Sequence, residues 1–250
     1  MDKLTVGSLF AGIGGIELGL ERTGHFETVW QMENDPYATR VLAKHWPDVR
    51  RHDDVRTFPP TGEWKCDLIC GGFPCQDISL AGKHKGLDGE RSGLYSEAIR
   101  VVGQLKPRWV LLENVAALLG RGLSRVIADL AEIGYVGRWD CVPASRFGAH
   151  FRGDRVYVLA SSATPNSIRW ERERTACVSQ GQAWGRGQFE GLVERELQNG
   201  VPAGAHGRIS DGLPYRVDRL RCLGNAVVPQ VAEWLGHRIW QMAEITTCCA

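Results

Sequence analysis

Nothing in this chain of 250 residues has the spacing of a metal centre, a membrane segment or a disulfide scaffold. Its eight cysteines, at 66, 70, 75, 141, 177, 222, 248 and 249, include no CxxC pair and have no histidines at zinc-ligand spacing, so no metal is expected. A chain this long needs no disulfide framework. No apolar run approaches the roughly 20 residues of a membrane helix, and Met1-Asp2-Lys3-Leu4 leads straight into a strand. Neither a signal peptide nor a membrane anchor is expected, and a reducing, cytoplasmic setting fits best. Repeats and low-complexity tracts are absent. The net charge of +1 does not advertise a nucleic-acid partner. After Lys106 every cation is Arg, the residue suited to phosphate and guanine contacts, although compositional bias produces the same pattern.

What is present reads as alternating strands and helices, enough for one large domain or one domain carrying a smaller insertion. Leu4–Phe10 is an apolar strand, and Ala11-Gly12-Ile13-Gly14-Gly15 turns it into a helix over Ile16–Thr23, stopped by Gly24. A second strand, Glu27–Gln31, delivers Glu33-Asn34-Asp35 about twenty residues after the glycines. This is the layout of a nucleoside-binding βαβ unit: glycines let a ligand approach the backbone, and a carboxylate accepts from ribose hydroxyls. The third glycine of a dinucleotide fingerprint is missing, because Glu17 occupies its place, which argues against NAD or FAD. Asp35-Pro36 opens a helix running to His45. In His52-Asp53-Asp54-Val55 a carboxylate suits an adenine amine, or the stretch is a solvated turn.

Asp67-Leu68-Ile69-Cys70 ends a buried strand, and Gly71-Gly72-Phe73-Pro74-Cys75-Gln76 follows it as a stiff loop. Cys75 thereby sits at a strand's carboxyl end, where open α/β sheets place ligands. It reads either as a nucleophile activated by its surroundings or as one more buried thiol. Asp77–Gly93, rich in glycine and carrying Lys83, Lys85 and Arg91, suits a lid over a polyanion or an ordinary surface loop. Leu94, Ala98, Val101, Val102 and Leu105 mark one face of a helix, and Trp109–Leu112 is a strand delivering Glu113-Asn114-Val115 to the same edge as Cys75. Glu113 is there an acid, a hydrogen-bond anchor or a loop-satisfying carboxylate. A helix over Leu123–Ile133 and strands near Tyr135–Pro143 and Arg155–Ala160 complete the pattern. From Ser161 to Pro214 periodicity fades, and Trp170, Trp184 and Phe189 stand among arginines, as in a nucleic-acid surface or a small module with a Trp core. Gly224-Asn225-Ala226-Val227-Val228-Pro229 then leads into an amphipathic helix through Val231, Leu235, Ile239 and Met242.

Five stretches occur in order: Phe10-Ala11-Gly12-x-Gly14-Gly15, Glu33-Asn34-Asp35-x-Tyr37-Ala38, Gly72-Phe73-Pro74-Cys75-Gln76, Glu113-Asn114-Val115 and Gly224–Pro229. Together they resemble the C5-cytosine DNA methyltransferase family over residues 4–160 and 216–243. The resemblance implies an α/β, doubly wound Rossmann-like sheet, with residues 1–161 plus 216–250 as the catalytic domain and 162–215 as a small, irregular target-recognition region. The implied cofactor is S-adenosylmethionine, lined by Phe10, Gly12, Gly14, Glu33, Asp54, Pro74 and Leu94 and closed over by Asn225 and Val227. Cys75 would attack cytosine C6, Glu113 would hold N3, and Arg155 would hold the O2 side or the cofactor-side loop. Gln76, Ser79, Lys83, Lys85 and Arg152 would face DNA. The implied partner is double-stranded DNA, read by a monomer within a restriction-modification system that includes a cognate endonuclease. Methylation of cytosine in tRNA, or binding without catalysis, are the alternatives. Two departures stand out. Phe151-Arg152-Gly153-Asp154-Arg155 replaces the family's Gln-x-Arg-x-Arg, and the target-recognition region is only about fifty residues, with no recognisable scaffold motif before Asn225.

Overall fold

A computed structural model describes residues 2–74, 93–149, 151–162 and 216–248. The described elements are β1 (Leu4–Leu9), α1 (Gly15–Arg22), β2 (Phe26–Met32), α2 (Pro36–His45), β3 (Arg50–His52), β4 (Leu68–Gly72), α3 (Gly93–Leu105), β5 (Trp109–Val115), α4 (Leu118–Arg121), α5 (Leu123–Glu132), β6 (Val136–Pro143), β7 (Asp154–Ser161), α6 (Arg216–Asn225) and α7 (Pro229–Cys248). The strands form one seven-stranded sheet in the order β3-β2-β1-β4-β5-β7-β6. The first five run parallel, and β7 runs antiparallel to both β5 and β6. This is a doubly wound, Rossmann-like α/β fold. The expected region 162–215 lies outside the described residues apart from Ser162.

The apolar runs seen in the sequence are strands buried on both faces, as parallel sheets require. Along β5, Val110 and Leu112 point into a core shared with Tyr95, Ala98, Val101 and Val102 of α3 and Val126 and Leu130 of α5. Trp109 and Leu111 point the other way, into a core shared with Ile16 and Leu20 of α1 and Val231, Leu235 and Ile239 of α7. Both faces are therefore covered. In α3 the buried face includes Tyr95, with Leu94 beside it only partly buried.

The order reverses between β1 and β4, so the loops leaving those two strands flank the crevice where such sheets bind ligands. Asp35 caps α2 as expected, its Oδ1 accepting from the amides of Tyr37 and Ala38, each at 2.9 Å. The C-terminal helix returns to α1 across a glycine-lined surface. A Cβ on Gly19 would lie 2.2 Å from the carbonyl oxygen of Pro229, and one on Gly15 would lie 2.4 Å from that of Val227. These glycines are there because the two backbones touch.

Gly19→Ala should separate helix propensity from packing. Alanine favours an isolated helix by about 1 kcal/mol, yet here it must displace the Pro229 carbonyl. A net loss of about 1–3 kcal/mol is expected from urea unfolding; a stabilised variant would show that α7 does not sit tightly on α1.

Candidate active site

The turn after β1 uses left-handed backbone three times, at Phe10 (φ 54°), Gly12 (φ 57°) and Gly14 (φ 85°). Glycine accepts this freely, whereas for Phe10 it costs on the order of 1–2 kcal/mol. The strain is held by packing of Phe10 against the α3–α5 core and by the Ala11 amide donating to the Met32 carbonyl at 2.9 Å. Glu33, just beyond β2, closes on this turn: Oε2 accepts from the Gly12 amide at 2.7 Å and Oε1 from the Asp35 amide at 2.8 Å. The glycine turn and the acidic group, separated in sequence, thus form one cradle. Beside it opens a cavity of about 230 Å³ lined in part by Gln31, Glu33, Thr39, His52 and Asp53.

Val227 is buried with its carbonyl against Gly15, so the C-terminal segment reaches the same turn. Asn225 is exposed at the end of α6. Asp54 faces elsewhere: its carboxylate pairs with Arg56 at 2.6 Å, and that guanidinium holds it at a pKa of about 2. Asp53 rather than Asp54 lines the cavity beside Glu33.

The second half of the site forms at the ends of β4 and β5. Parallel pairing sets Gly72 opposite Glu113, and a Cβ at Gly72 would lie 2.6 Å from Glu113 Oε2. Asn114 Nδ2 donates to the Phe73 carbonyl at 3.2 Å, and the Phe73 ring packs on Tyr95 with centroids 4.9 Å apart. The Gly72-Phe73-Pro74 loop is therefore braced by β5 and by α3. Cys75, Gln76, Ser79, Lys83 and Lys85 lie outside the described residues.

Glu113 is only 7% exposed. Burial lifts its pKa to about 7 against the opposing pull of Arg155, whose Nε lies 3.2 Å from Oε1. That approach is a charge contact off the hydrogen-bonding axis, and Oε1 has no hydrogen-bond partner among the described residues. Arg155 also donates through Nη2 to the Gly224 carbonyl at 3.4 Å. Arg152 is apart from this cluster, with its side chain 84% exposed and paired to Asp154 at 2.7 Å. Among the described thiols, burial pushes Cys66 up to about 12 and raises Cys70, Cys141 and Cys222 as well.

Two residues escaped sequence reading. Glu17, noted only for displacing a glycine, is 1% exposed on the inner face of α1, near Ser8 and Cys70. Its place between Ile16 and Leu20 was the available signal. Arg221 pairs with Asp35 across 186 positions, and nothing local announces that contact.

The family model for C-5 cytosine-specific DNA methylase matches residues 4–181. The chain belongs to that family. Among curated relatives, the type II methyltransferase M2.BsuMI of Bacillus subtilis is 41% identical over 169 residues, spanning 63% of this chain and 42% of the relative. M.Bsp6I of a Bacillus species is 36% identical over 162 residues, or 62% and 51% of the two chains. The chain thus spans about half the length of the curated relatives it matches. A solved structure described as a DNA modification methyltransferase encoded within an E. coli prophage superposes with a TM-score of 0.54 at 27% identity, covering 64% of this chain and 47% of the other. A Spodoptera frugiperda DNMT2 mutant, also at TM-score 0.54 but 22% identical, shares the fold; it covers 64% of this chain and 50% of that one.

Burial lifts Glu17 from the ordinary carboxylate range to about 7. Its ionisation is costly in the fold and free in the unfolded chain, so its contribution to stability is fully present below about pH 4.5 and is lost as pH rises through about 7, by about 3 kcal/mol. Glu17→Gln should remove that share of the slope in urea midpoints measured from pH 5 to 8. A residual slope belongs to Glu113, which titrates in the same window. An unaltered slope would show that Glu17 is solvated.

Proposed function

We propose that this protein is a DNA (cytosine-5)-methyltransferase that attacks a flipped-out cytosine through Cys75 and takes its methyl group from S-adenosylmethionine. The observation that carries the reading is Glu113: a buried carboxyl whose Oε1 has no hydrogen-bond partner among the described residues, braced by Arg155 and facing Gly72, three residues before Cys75 in sequence. The match to the C-5 cytosine-specific DNA methylase family and relatives named as type II methyltransferases support DNA as the substrate. No helix among the described residues is long and apolar enough to cross a membrane, and no described group of His, Cys, Asp or Glu is placed to hold a metal.

The residues present fit the cofactor. Each Glu33 oxygen already accepts one backbone amide and keeps a lone pair for a ribose hydroxyl, and the glycine turn leaves backbone open beside it. Phe10, Gly12, Gly14 and Glu33 would hold the nucleoside, with Pro74, Leu94, Asn225 and Val227 around it; Asp54 would have to leave Arg56 to reach an adenine amine. When bound, the cofactor supplies an electrophilic methyl group.

The protein's own work is on the base. Cytosine C5 is a poor nucleophile until the Cys75 thiolate adds to C6, which makes C5 electron-rich. Glu113, holding its proton to about pH 7, donates to N3 and absorbs the charge that develops during attack. Arg155 pairs with Glu113 and would hold the O2 side of the ring. After methylation, loss of the C5 proton and elimination of Cys75 regenerate the thiolate. Reaching a base's face requires taking it out of the stack, at a cost of a few kcal/mol.

Purified protein and tritiated S-adenosylmethionine should label duplex DNA and not tRNA; the reverse would move the substrate to RNA. DNA containing 5-fluorocytosine should trap a covalent adduct with the wild type and none with Cys75→Ala. Absence of any adduct would leave a binding protein. Glu113→Gln keeps a donor but loses the transferable proton, so single-turnover rates should fall about 100-fold or more. In the wild type, rates should decline above about pH 7 as Glu113 ionises. DNA affinity should fall steeply with salt, because phosphate contacts dominate it.

A further inference from the structure

α6 is seated in an unusual way for a helix. Of its described large apolar side chains, Val217 and Leu223 are 77% and 65% exposed, so apolar burial is not what holds these two positions. Its described polar contacts cluster at its C-terminal end. Arg221 Nη2 pairs with Asp35 Oδ2 and, at 3.2 Å, with Asp218 of its own helix. One turn on, the Gly224 carbonyl accepts from Arg155, the partner of Glu113.

Asp35 is in turn part of the cradle. Its Oδ1 is occupied by two α2 amides, which leaves Oδ2 for Arg221. Its own amide donates to Glu33 Oε1, while the other Glu33 oxygen accepts from Gly12. Any shift of the Asp35 loop therefore moves Glu33 relative to the glycine turn. Resting on the cofactor reading above, we propose that Arg221 is a positioning residue for cofactor binding: from α6 it clamps Asp35, and through the Asp35 amide it sets the carboxylate of Glu33.

The clamp is half-exposed, with Arg221 and Asp35 side chains 54% and 22% accessible, so it contributes little to global stability. Its effect is on the placement of one carboxylate, and a binding measurement reads that directly. Arg155 holds the same helix end from the other side, so α6 spans from the cradle to the acid without itself touching the reacting atoms.

The test is calorimetric binding of S-adenosylhomocysteine to the full chain, with thermal melting of each variant without ligand. Arg221→Ala should weaken binding about fivefold or more, the low end of ordinary site coupling. Asp35→Asn keeps the α2 cap, since Asn caps as well as Asp, but removes the clamp's charge. It should lose affinity to the same extent. The double variant should be no worse than either single one, and Arg221→Lys should stay within about twofold of wild type. Melting temperatures should move by less than about 3 °C, the shift of roughly 1 kcal/mol in a chain of this size. At saturating cofactor kcat should hold within about twofold while KM for the cofactor rises. Unchanged affinity in both single variants, or additive losses in the double, would overturn the clamp. Wild-type protein that binds no S-adenosylhomocysteine would instead overturn the cofactor reading on which the clamp rests.

Discussion

The β4–β5 ladder is the constraint from which the site follows. Side chains alternate along β5, so Glu113 shares a face with Trp109 and Leu111, towards α1 and α7, while Val110 and Leu112 fill the α3–α5 core. A slip of one residue would drive the carboxyl into that apolar core and turn Leu112 out of it. Burial of five successive side chains on both faces makes such a slip prohibitively costly. The register that the core dictates is the one that sets Glu113 beside Gly72, at the root of the loop leading to Cys75. Asn114, tied to the Phe73 carbonyl, then makes the same strand the support of both groups.

Glu113 and Glu17 have been lifted by the same force, loss of water, to similar values, yet they differ in what surrounds them. Arg155 approaches Glu113 off-axis, enough to orient it without completing its hydrogen bonding. The acid keeps its proton up to about pH 7 and has an oxygen without a partner among the described residues, which is the condition a donor to a ring nitrogen needs. Within the α1 core no cation among the described residues opposes the shift of Glu17; Ser8 opposes it weakly, and Glu21 and Glu33 add to it. Neither a raised pKa nor an unpartnered oxygen identifies an acid that works, since Glu17 Oε1 also lacks a described partner; what sets Glu113 apart is its place at a strand end beside Gly72 and Arg155.

How much of this was legible depends on whether the information was local. The glycine turn, the Asp35 cap, the amphipathic faces of α3 and α5 and the apolar strands are set by neighbours in sequence, and they stand where periodicity and capping chemistry put them. Glu33 and Glu113 were legible because strand ends fall at one edge of a parallel sheet. Asp54 illustrates the limit: its sequence leaves open a ligand carboxylate or a solvated turn, and its pairing with the Arg56 guanidinium two residues on is a side-chain choice that no periodicity carries. Phe10 in left-handed backbone could not be read either, since only packing against a distant core sustains that strain. Arg221 depends on how α6 returns to the sheet, a tertiary fact that no local pattern carries.

That return ties the C-terminal helices to the first strands and helices of the sheet by two kinds of contact. α7 meets α1 backbone to backbone at Gly15 and Gly19, and the end of α6 meets Asp35 and Arg155. Backbone contacts of this kind demand small residues at the crossing and are indifferent to what lies upstream. The cradle is thus held where the first βαβ unit meets the C-terminal helices, while the acid stands on β5 and is joined to the end of α6 through Arg155.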